Sequence, residues 1–317
     1  MRIDGTRVIV TGAAGFVPSH VVEEFVTAGA HVTAVDNFSS GKIENLSRVE
    51  SDIELLTMDV RDEKLHGLMK HQDIVVHMAA NADVPKSVAD PAFDYANNVE
   101  GSFNVLRACL SADVAKVLFA SSAAVYGEPE YSPMDELHPT NPVSPYGAAK
   151  LAVEKLGFSY HHSLGLPFTA LRIFNSYGAR QRRYVMYDLL RKLYRDPNIL
   201  QVLGTGDQVR DYSYVTDTAR CFLLAARSDV SDGESYNVAG GRPISIKTLT
   251  DRLVEVCGVA GVSVTFTGES WPGDIRTLVA NINKAQKVLE FCPKVDLLEG
   301  LARLDAWLRP LCLEPDR

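Results

Sequence analysis

The sequence predicts an α/β fold, a doubly wound parallel sheet followed by a smaller carboxyl-terminal lobe. Three observations carry that expectation. Six short apolar, β-branched runs recur up to residue 173, with helix-length segments between them. Both alternating positions of most runs are apolar, as strands covered on two faces require. After Phe174 the regular alternation gives way to an irregular, loop-rich tract. A chain of 317 residues, 46% hydrophobic and 23% charged, can bury a core of that size.

In order, the strand candidates are "RVIV" (7–10), "HVTAV" (31–35), "IELLTM" (53–58), "DIVVHM" (73–78), "KVLFA" (116–120) and "FTALRI" (168–173). Two long helices are expected over Asp90–Ala112 and Pro145–Leu164, each entered through an Asp or Pro suited to a first helical turn. Beyond them, "NSYGARQRRYVMYDLL" leads into a helix, and another runs from about Thr216 to Arg227. No repeat, low-complexity run or Gly/Ser/Pro-rich linker interrupts the chain, so the second region is expected to pack on the first as a lobe.

Composition narrows the function classes. Thirty-two basic against forty acidic residues leave a net charge of −8, which repels phosphate backbones and anionic lipid and argues against nucleic-acid or membrane partners. A small ligand is expected instead. The five cysteines, Cys109, Cys221, Cys257, Cys292 and Cys312, lack metal-like spacing and read as reduced thiols, with no metal site. The start lacks a leader-like segment and no long apolar run follows, so a soluble cytoplasmic protein is expected.

The stretch "TGAAGFVPSH" (11–20) follows the first strand and opens a helix, and Asp36 ends the second strand about twenty residues later. That context suits a dinucleotide site: Gly12 makes the tight turn, Gly15 admits the pyrophosphate, and the amides of Phe16 and Val17 face it at the helix start. Pro18 stands where a third glycine would complete the pattern. If the helix starts near Gly15, Pro18 falls in its first turn, where an N–H has no intrahelical partner, and the anion site survives. Asp36 would accept the ribose hydroxyls and repel a 2′-phosphate, favouring NAD over NADP. A glycine turn that binds nothing is the plainer alternative.

"PYGAAK" sets Tyr146 and Lys150 four apart, on one helix face, where an ammonium would favour the phenolate and make the tyrosine a base near neutral pH. "FASSAAVYG" places Ser121 and Ser122 at a strand end, on the ligand-binding edge of such sheets. Strand-end serines also serve simply as turn formers.

With these motifs the chain resembles the extended short-chain dehydrogenase/reductase family, specifically its nucleotide-sugar epimerases and dehydratases. "DNFSSG", "MDVRD", "VVHMAA", "NNVEGSFNVLRA", "SSAAVYG", "SPYGAAK", "RIFNSYG", "RDYSYVTD" and "PGDIR" follow the glycine turn in the family's order. The resemblance implies a Rossmann-type domain over 1–174, with a return segment about 210–238. It implies a sugar-nucleotide lobe from 175–209 and 239–317. Ser122, Tyr146 and Lys150 are then the catalytic residues. The NAD contacts it implies are Gly12, Gly15, Phe16, Val17, Asp36, Asn37, Ser39, Asp59, Val60, Ala79, Ala80, Tyr146 and Lys150. Asn175, Arg210 and Arg276 would hold the diphosphate, a task that suits guanidinium groups.

Ala123 and Ala124 occupy positions where dehydratases and decarboxylases of that family carry acids, so hydride chemistry alone is expected: a 4-epimerase acting through a 4-keto sugar. A lyase borrowing Glu128 or Asp135 is the rival reading, and a non-catalytic NAD-binding regulator a further one. Arg182 in the "RQR" tract resembles enzymes acting on uronates. It would pair with a C6 carboxylate, touch the diphosphate, or sit in a solvated loop. Asn281 replaces the usual Asp at a structural position, His20 and His77 read as packing residues, and the two long helices resemble those that pair between subunits in the family, which implies a homodimer.

Overall fold

The computed structural model describes residues 1–269 and 275–313. Its strands are β1 (Arg7–Thr11), β2 (His31–Asp36), β3 (Ile53–Thr57), β4 (Ile74–His77), β5 (Lys116–Ser122), β6 (Phe168–Ile173), β7 (Asn175–Tyr177), β8 (Ile199–Val202), β9 (Val209–Tyr214), β10 (Ser235–Val238), β11 (Pro243–Ser245), β12 (Ser263–Phe266) and β13 (Thr277–Leu278). The helices are α1 (Phe16–Thr27), α2 (Leu65–Met69), α3 (Val84–Ala89), α4 (Pro91–Tyr95), α5 (Gly101–Ser111), α6 (Pro145–Leu164), α7 (Val185–Arg195), α8 (Val215–Arg227), α9 (Ile246–Cys257), α10 (Asn283–Leu289) and α11 (Leu297–Leu313).

Seven parallel strands form the main sheet in the order β10-β6-β5-β4-β1-β2-β3. Its two faces are covered as the unbroken apolar runs demand. Val8, Val10 and Val76 point into a core with Val21 and Phe25 of α1 and Phe222 of α8. Ile9, Val75 and Phe119 point the other way, onto Val105 and Leu106 of α5 and Val153 of α6. Each such side chain taken from water contributes about 1.5–3 kcal/mol before the cost of ordering the chain.

Helix α6 runs over the expected residues because its ends are signalled locally. The Ser144 hydroxyl accepts from Gly147 N at 3.1 Å, Pro145 occupies the first turn, and Gly165 stops the helix in the left-handed region. The helix expected over Asp90–Ala112 is realised as α4 and α5 joined by a wide π-helical segment, Ala96–Glu100. That turn follows Asp94 and contains Asn98, both buried polar residues, and such segments gather at functional sites.

The lobe is built by β7–β9, β11–β13, α7, α9 and α11, whereas α8 and α10 pack on the main sheet. β9 is its centre, pairing with β7, β11 and β13, and β8 pairs with β12. Helices α7, α9 and α11 pack their leucines into a separate core. Buried Asp211 of β9 accepts the amides of Gly241 and Arg242, which ties the lobe to the turn after β10. Among the described residues no helix is long and apolar enough to cross a membrane, and the cysteines are unpaired.

Candidate active site

The candidate cofactor and catalytic residues lie at or just beyond the carboxyl ends of the parallel strands. Gly12 has φ +69°, and a Cβ there would lie 2.8 Å from Ala79 Cα, so only glycine lets the β1–α1 turn approach the end of β4. β1 and β4 are sheet neighbours from which the connections run in opposite directions, the crevice where such sheets bind ligands. Gly15 caps α1 without a side chain, and Phe16 and Val17 are its first two residues. Their amides have no intrahelical acceptor. Pro18 is the third helical residue, where its missing N–H removes no helix bond.

Asp36 is buried at the end of β2. One carboxylate oxygen accepts from Ala14 N at 2.9 Å and the other from Phe38 N at 2.7 Å, so each keeps capacity for a further hydrogen. Burial pushes its pKa above the ordinary carboxylate range. Asn37 donates to Asp59 at 2.9 Å and accepts from Ser39 N at 3.0 Å. Arg61 grips Asp59 with two prongs, at 2.8 and 2.7 Å, and holds its carboxyl well below the usual range. Val60 accepts from the Asn104 amide, and Ala79 and Ala80 continue from β4 along the same edge. A glycine cradle that a Cβ would fill, a bare helix start and a buried carboxylate with spare acceptor capacity together fit a dinucleotide.

His77 does more than pack. The Ser102 hydroxyl donates to Asn98 O at 2.5 Å, so His77 Nε2 donates to Ser102 at 2.8 Å, and Nδ1 accepts from Thr11 Oγ1 at 2.8 Å. Thr11 Oγ1 in turn receives the amides of Met78 and Ala79. Burial, reinforced by the Lys150 charge, pushes the His77 pKa down to about 3, so the ring is a neutral strut under the loop. His20 is likewise buried, contacts Ala179 O at 3.2 Å, and is pushed down to about 3.

Ser122 ends β5; its hydroxyl accepts from Ala124 N at 3.2 Å and lies near enough to Tyr146 to favour the phenolate. Lys150, one turn along α6, is buried and donates to Ala120 O at 2.8 Å, with Nζ 5.8 Å from the Tyr146 ring centre. Burial pushes Tyr146 up to about 12, opposed by the Ser122 hydrogen bond, and pushes Lys150 down to about 8. The expected lowering of the phenol is therefore not realised here: burial dominates, and Lys150 is not among the leading influences on Tyr146. Glu154, another turn along the same face, accepts from Ser121 Oγ at 2.5 Å and from Arg172 of β6 at 2.9 and 2.7 Å. The four-residue spacing 146, 150, 154 was the sequence signal for this third member. Gly147 matters for a contact no spacing reveals: a Cβ there would lie 2.4 Å from Ala124 O, so α6 sits directly against the turn after Ser122.

On the lobe side, Asn175 of β7 donates to Asp211 O at 3.3 Å. Arg210 donates to Val209 O at 3.0 Å and Arg276 O at 3.3 Å, so the β9–β13 pairing sets Arg210 and Arg276 on neighbouring strand segments. Pro272–Asp274 of "PGDIR" lie outside the described residues. The "RQR" tract does not act as one patch. Arg180 turns to Ser19 and Glu23 of α1, Gln181 is buried on Ser176 O, and Arg183 and Tyr184 donate to Ala82 O. Arg182 is exposed and makes no hydrogen bond or ion pair among the described residues.

The sequence pattern of the NAD dependent epimerase/dehydratase family matches residues 8–239. The chain belongs to that family. It is 36% identical over 332 residues to a UDP-glucose 4-epimerase of Azospirillum brasilense, covering 96% of this chain and 92% of that one. A UDP-N-acetylglucosamine 4-epimerase of Methanobrevibacter ruminantium, solved with UDP-N-acetylmuramic acid, superposes with a TM-score of 0.91 at 34% identity, covering 97% of this chain and 99% of the other. A UDP-glucuronic acid 4-epimerase variant of Bacillus cereus, solved with NAD and a fluorinated UDP-glucuronic acid, gives 0.90 at 29% identity, covering 96% and 99%. As in the family's name, the cofactor this member uses is NAD.

Proposed function

We propose that the protein is an NAD-dependent nucleotide-sugar 4-epimerase, with residues 1–174 and a return segment holding NAD that starts after β9, at about 215 and not 210, and runs to 238, and with 175–214 and 239–317 holding the sugar nucleotide. The observation that carries the reading is the Ser122–Tyr146 pair at the β5 end, followed by Ala123 and Ala124 instead of acids. Of the alternative acids, Asp135 accepts from Tyr131 and from Leu137 N within its own loop, and Glu128 is exposed. Both speak against a lyase.

Gly12, Gly15, Phe16 and Val17 would hold the NAD pyrophosphate, Asp36 its adenosine ribose, Asn37, Ser39, Asp59, Val60, Ala79 and Ala80 the surrounding walls, and Lys150 the second ribose. When bound, NAD would supply the acceptor and donor for the C4 hydride and a positively charged ring. Tyr146 removes the proton from the C4 hydroxyl and returns it after the 4-keto sugar has turned over in the site. Ser122 orients the C4 oxygen and opposes the burial that holds the Tyr146 proton, with the Lys150 ammonium one turn away on the same face of α6. Asn175, Arg210 and Arg276 grip the diphosphate. The relatives' names support a uridine nucleotide, and the unengaged Arg182 supports a uronate among the sugars.

Tyr95 and Phe103 stand exposed on α4 and α5 beside α6, in keeping with a homodimer built on these helices, which sedimentation tests. Unpaired thiols are in keeping with the cytoplasm. The function is tested by incubating the protein with UDP-, GDP-, CDP- and dTDP-sugars and reading mass and stereochemistry: epimerisation keeps the mass, elimination does not. Tyr146→Phe lowers turnover by about two to four orders of magnitude and leaves NAD bound. Wild-type turnover in that variant removes Tyr146 as the base.

A further inference from the structure

Asp94 of α4 is buried, 1% exposed, and has no part in the chemistry described so far. Its Oδ1 accepts from Asn81 Nδ2 at 3.0 Å and from Asn98 Nδ2 at 2.8 Å. The two asparagines also hold each other: Asn81 N donates to Asn98 Oδ1 at 2.7 Å, and Asn98 Nδ2 donates to Asn81 O at 3.0 Å. Asn81 follows Ala79 and Ala80, so this knot pins the loop after β4 to the π-helical segment. Asp94 Oδ2, by contrast, is buried without a hydrogen-bond partner among the described residues. A carboxylate with a bare oxygen is costly away from water unless a cation lies near.

Lys150 is a buried cation that the Asp94 charge favours, although no ion pair within 4.0 Å joins the two among the described residues. Helix α4 packs on α6, and Asp94 is the first of the charges favouring the Lys150 ammonium against its burial. The other groups facing Lys150 are spoken for. Glu154, on α6 itself, also favours the ammonium, after Asp94, but is held by the two prongs of Arg172. His77, from β4, is a neutral ring. On Tyr146 the Asp94 charge acts unfavourably, but it ranks behind burial, the Ser122 hydrogen bond, Tyr184 and Arg183.

We propose that Asp94 is a positioning residue for the reaction: it fixes the Asn81–Asn98 pair at the cofactor loop and supplies the counter-charge that keeps Lys150 an ammonium. The proposal rests on Tyr146 and Lys150 being the catalytic pair.

Asp94→Asn keeps the shape and an acceptor and removes the charge. The alkaline limb of its kcat profile moves about one pH unit lower, the lower end of what one opposite charge supplies, with KM for the sugar nucleotide and bound NAD unchanged. At pH 8 this reads as a loss of about fivefold in kcat. Asp94→Glu restores the limb. Independently of turnover, the 15N NMR signal of Lys150 Nζ, assigned by its loss in Lys150→Arg, titrates at lower pH in both Asp94→Asn and Asp94→Ser. A purely structural residue would lower Tm and leave both titrations in place, and an unmoved Lys150 signal in either neutral variant overturns the proposal. Absence of wild-type turnover on every nucleotide sugar overturns the epimerase reading instead.

Discussion

Gly147→Ala tests whether the contact between α6 and the turn after Ser122 sets the catalytic geometry. The added Cβ would stand 2.4 Å from Ala124 O and 3.0 Å from Pro142 Cβ, where ordinary contact begins at 3.4 Å. The nearest obstacle is backbone and cannot rotate away, so α6 and the turn must part by about 1 Å, given the low compressibility of packed interiors. Tyr146 and Ser122 ride on the two sides of that contact. A misplacement of about 1 Å between reacting groups costs on the order of a hundredfold in rate, and the overpacking about 1–3 kcal/mol in stability. Initial rates of UDP-glucose to UDP-galactose conversion, Tm and bound NAD are to be measured together. The expected pattern is a large fall in kcat, a modest fall in Tm and retained NAD. Wild-type kcat in a folded Gly147→Ala protein would refute the reasoning, because it would mean that the helix can move without disturbing the Ser122–Tyr146 pair.

His77 and His20 predict acid sensitivity. Both are pushed from about 6.5 to about 3 in the folded chain, so the unfolded chain binds more protons between those values, and stability falls as pH drops below about 6.5. Each contributes at most about 1.4 kcal/mol per pH unit. Tm measured from pH 6.5 to 4.5 should therefore fall more steeply in wild type than in His77→Gln, and equal slopes would contradict the neutral buried ring. Arg182→Ala decides the sugar. If Arg182 pairs with a C6 carboxylate, kcat/KM for UDP-glucuronate falls by about 1.5–3 kcal/mol of transition-state stabilisation while UDP-glucose is unaffected. A parallel loss for both sugars assigns Arg182 to the diphosphate and removes the uronate reading.

What the sequence determined by itself is what local physics determines. The six early strands are legible because two-faced burial writes continuous apolar runs, and α6 because Ser144, Pro145 and Gly165 mark its ends within a turn or two of the chain. The glycine turn and the Tyr146–Lys150 pair are legible for the same reason: a tight turn and a four-residue helical spacing are short-range. Glu154 was readable by that spacing too.

Only the tertiary structure decided the rest. The π-helical segment interrupting the expected Asp90–Ala112 helix leaves no break in the apolar pattern. The "RQR" residues scatter because a loop with Arg180 at positive φ has no period to keep neighbours on one face. The Thr11–His77–Ser102 strut, the Asp94 knot and the Gly147 contact join residues tens of positions apart, or depend on how closely two elements approach. Whether a buried phenol or amine is raised or lowered depends on burial and on every charge the fold brings near, and those distances exist only once the chain has folded.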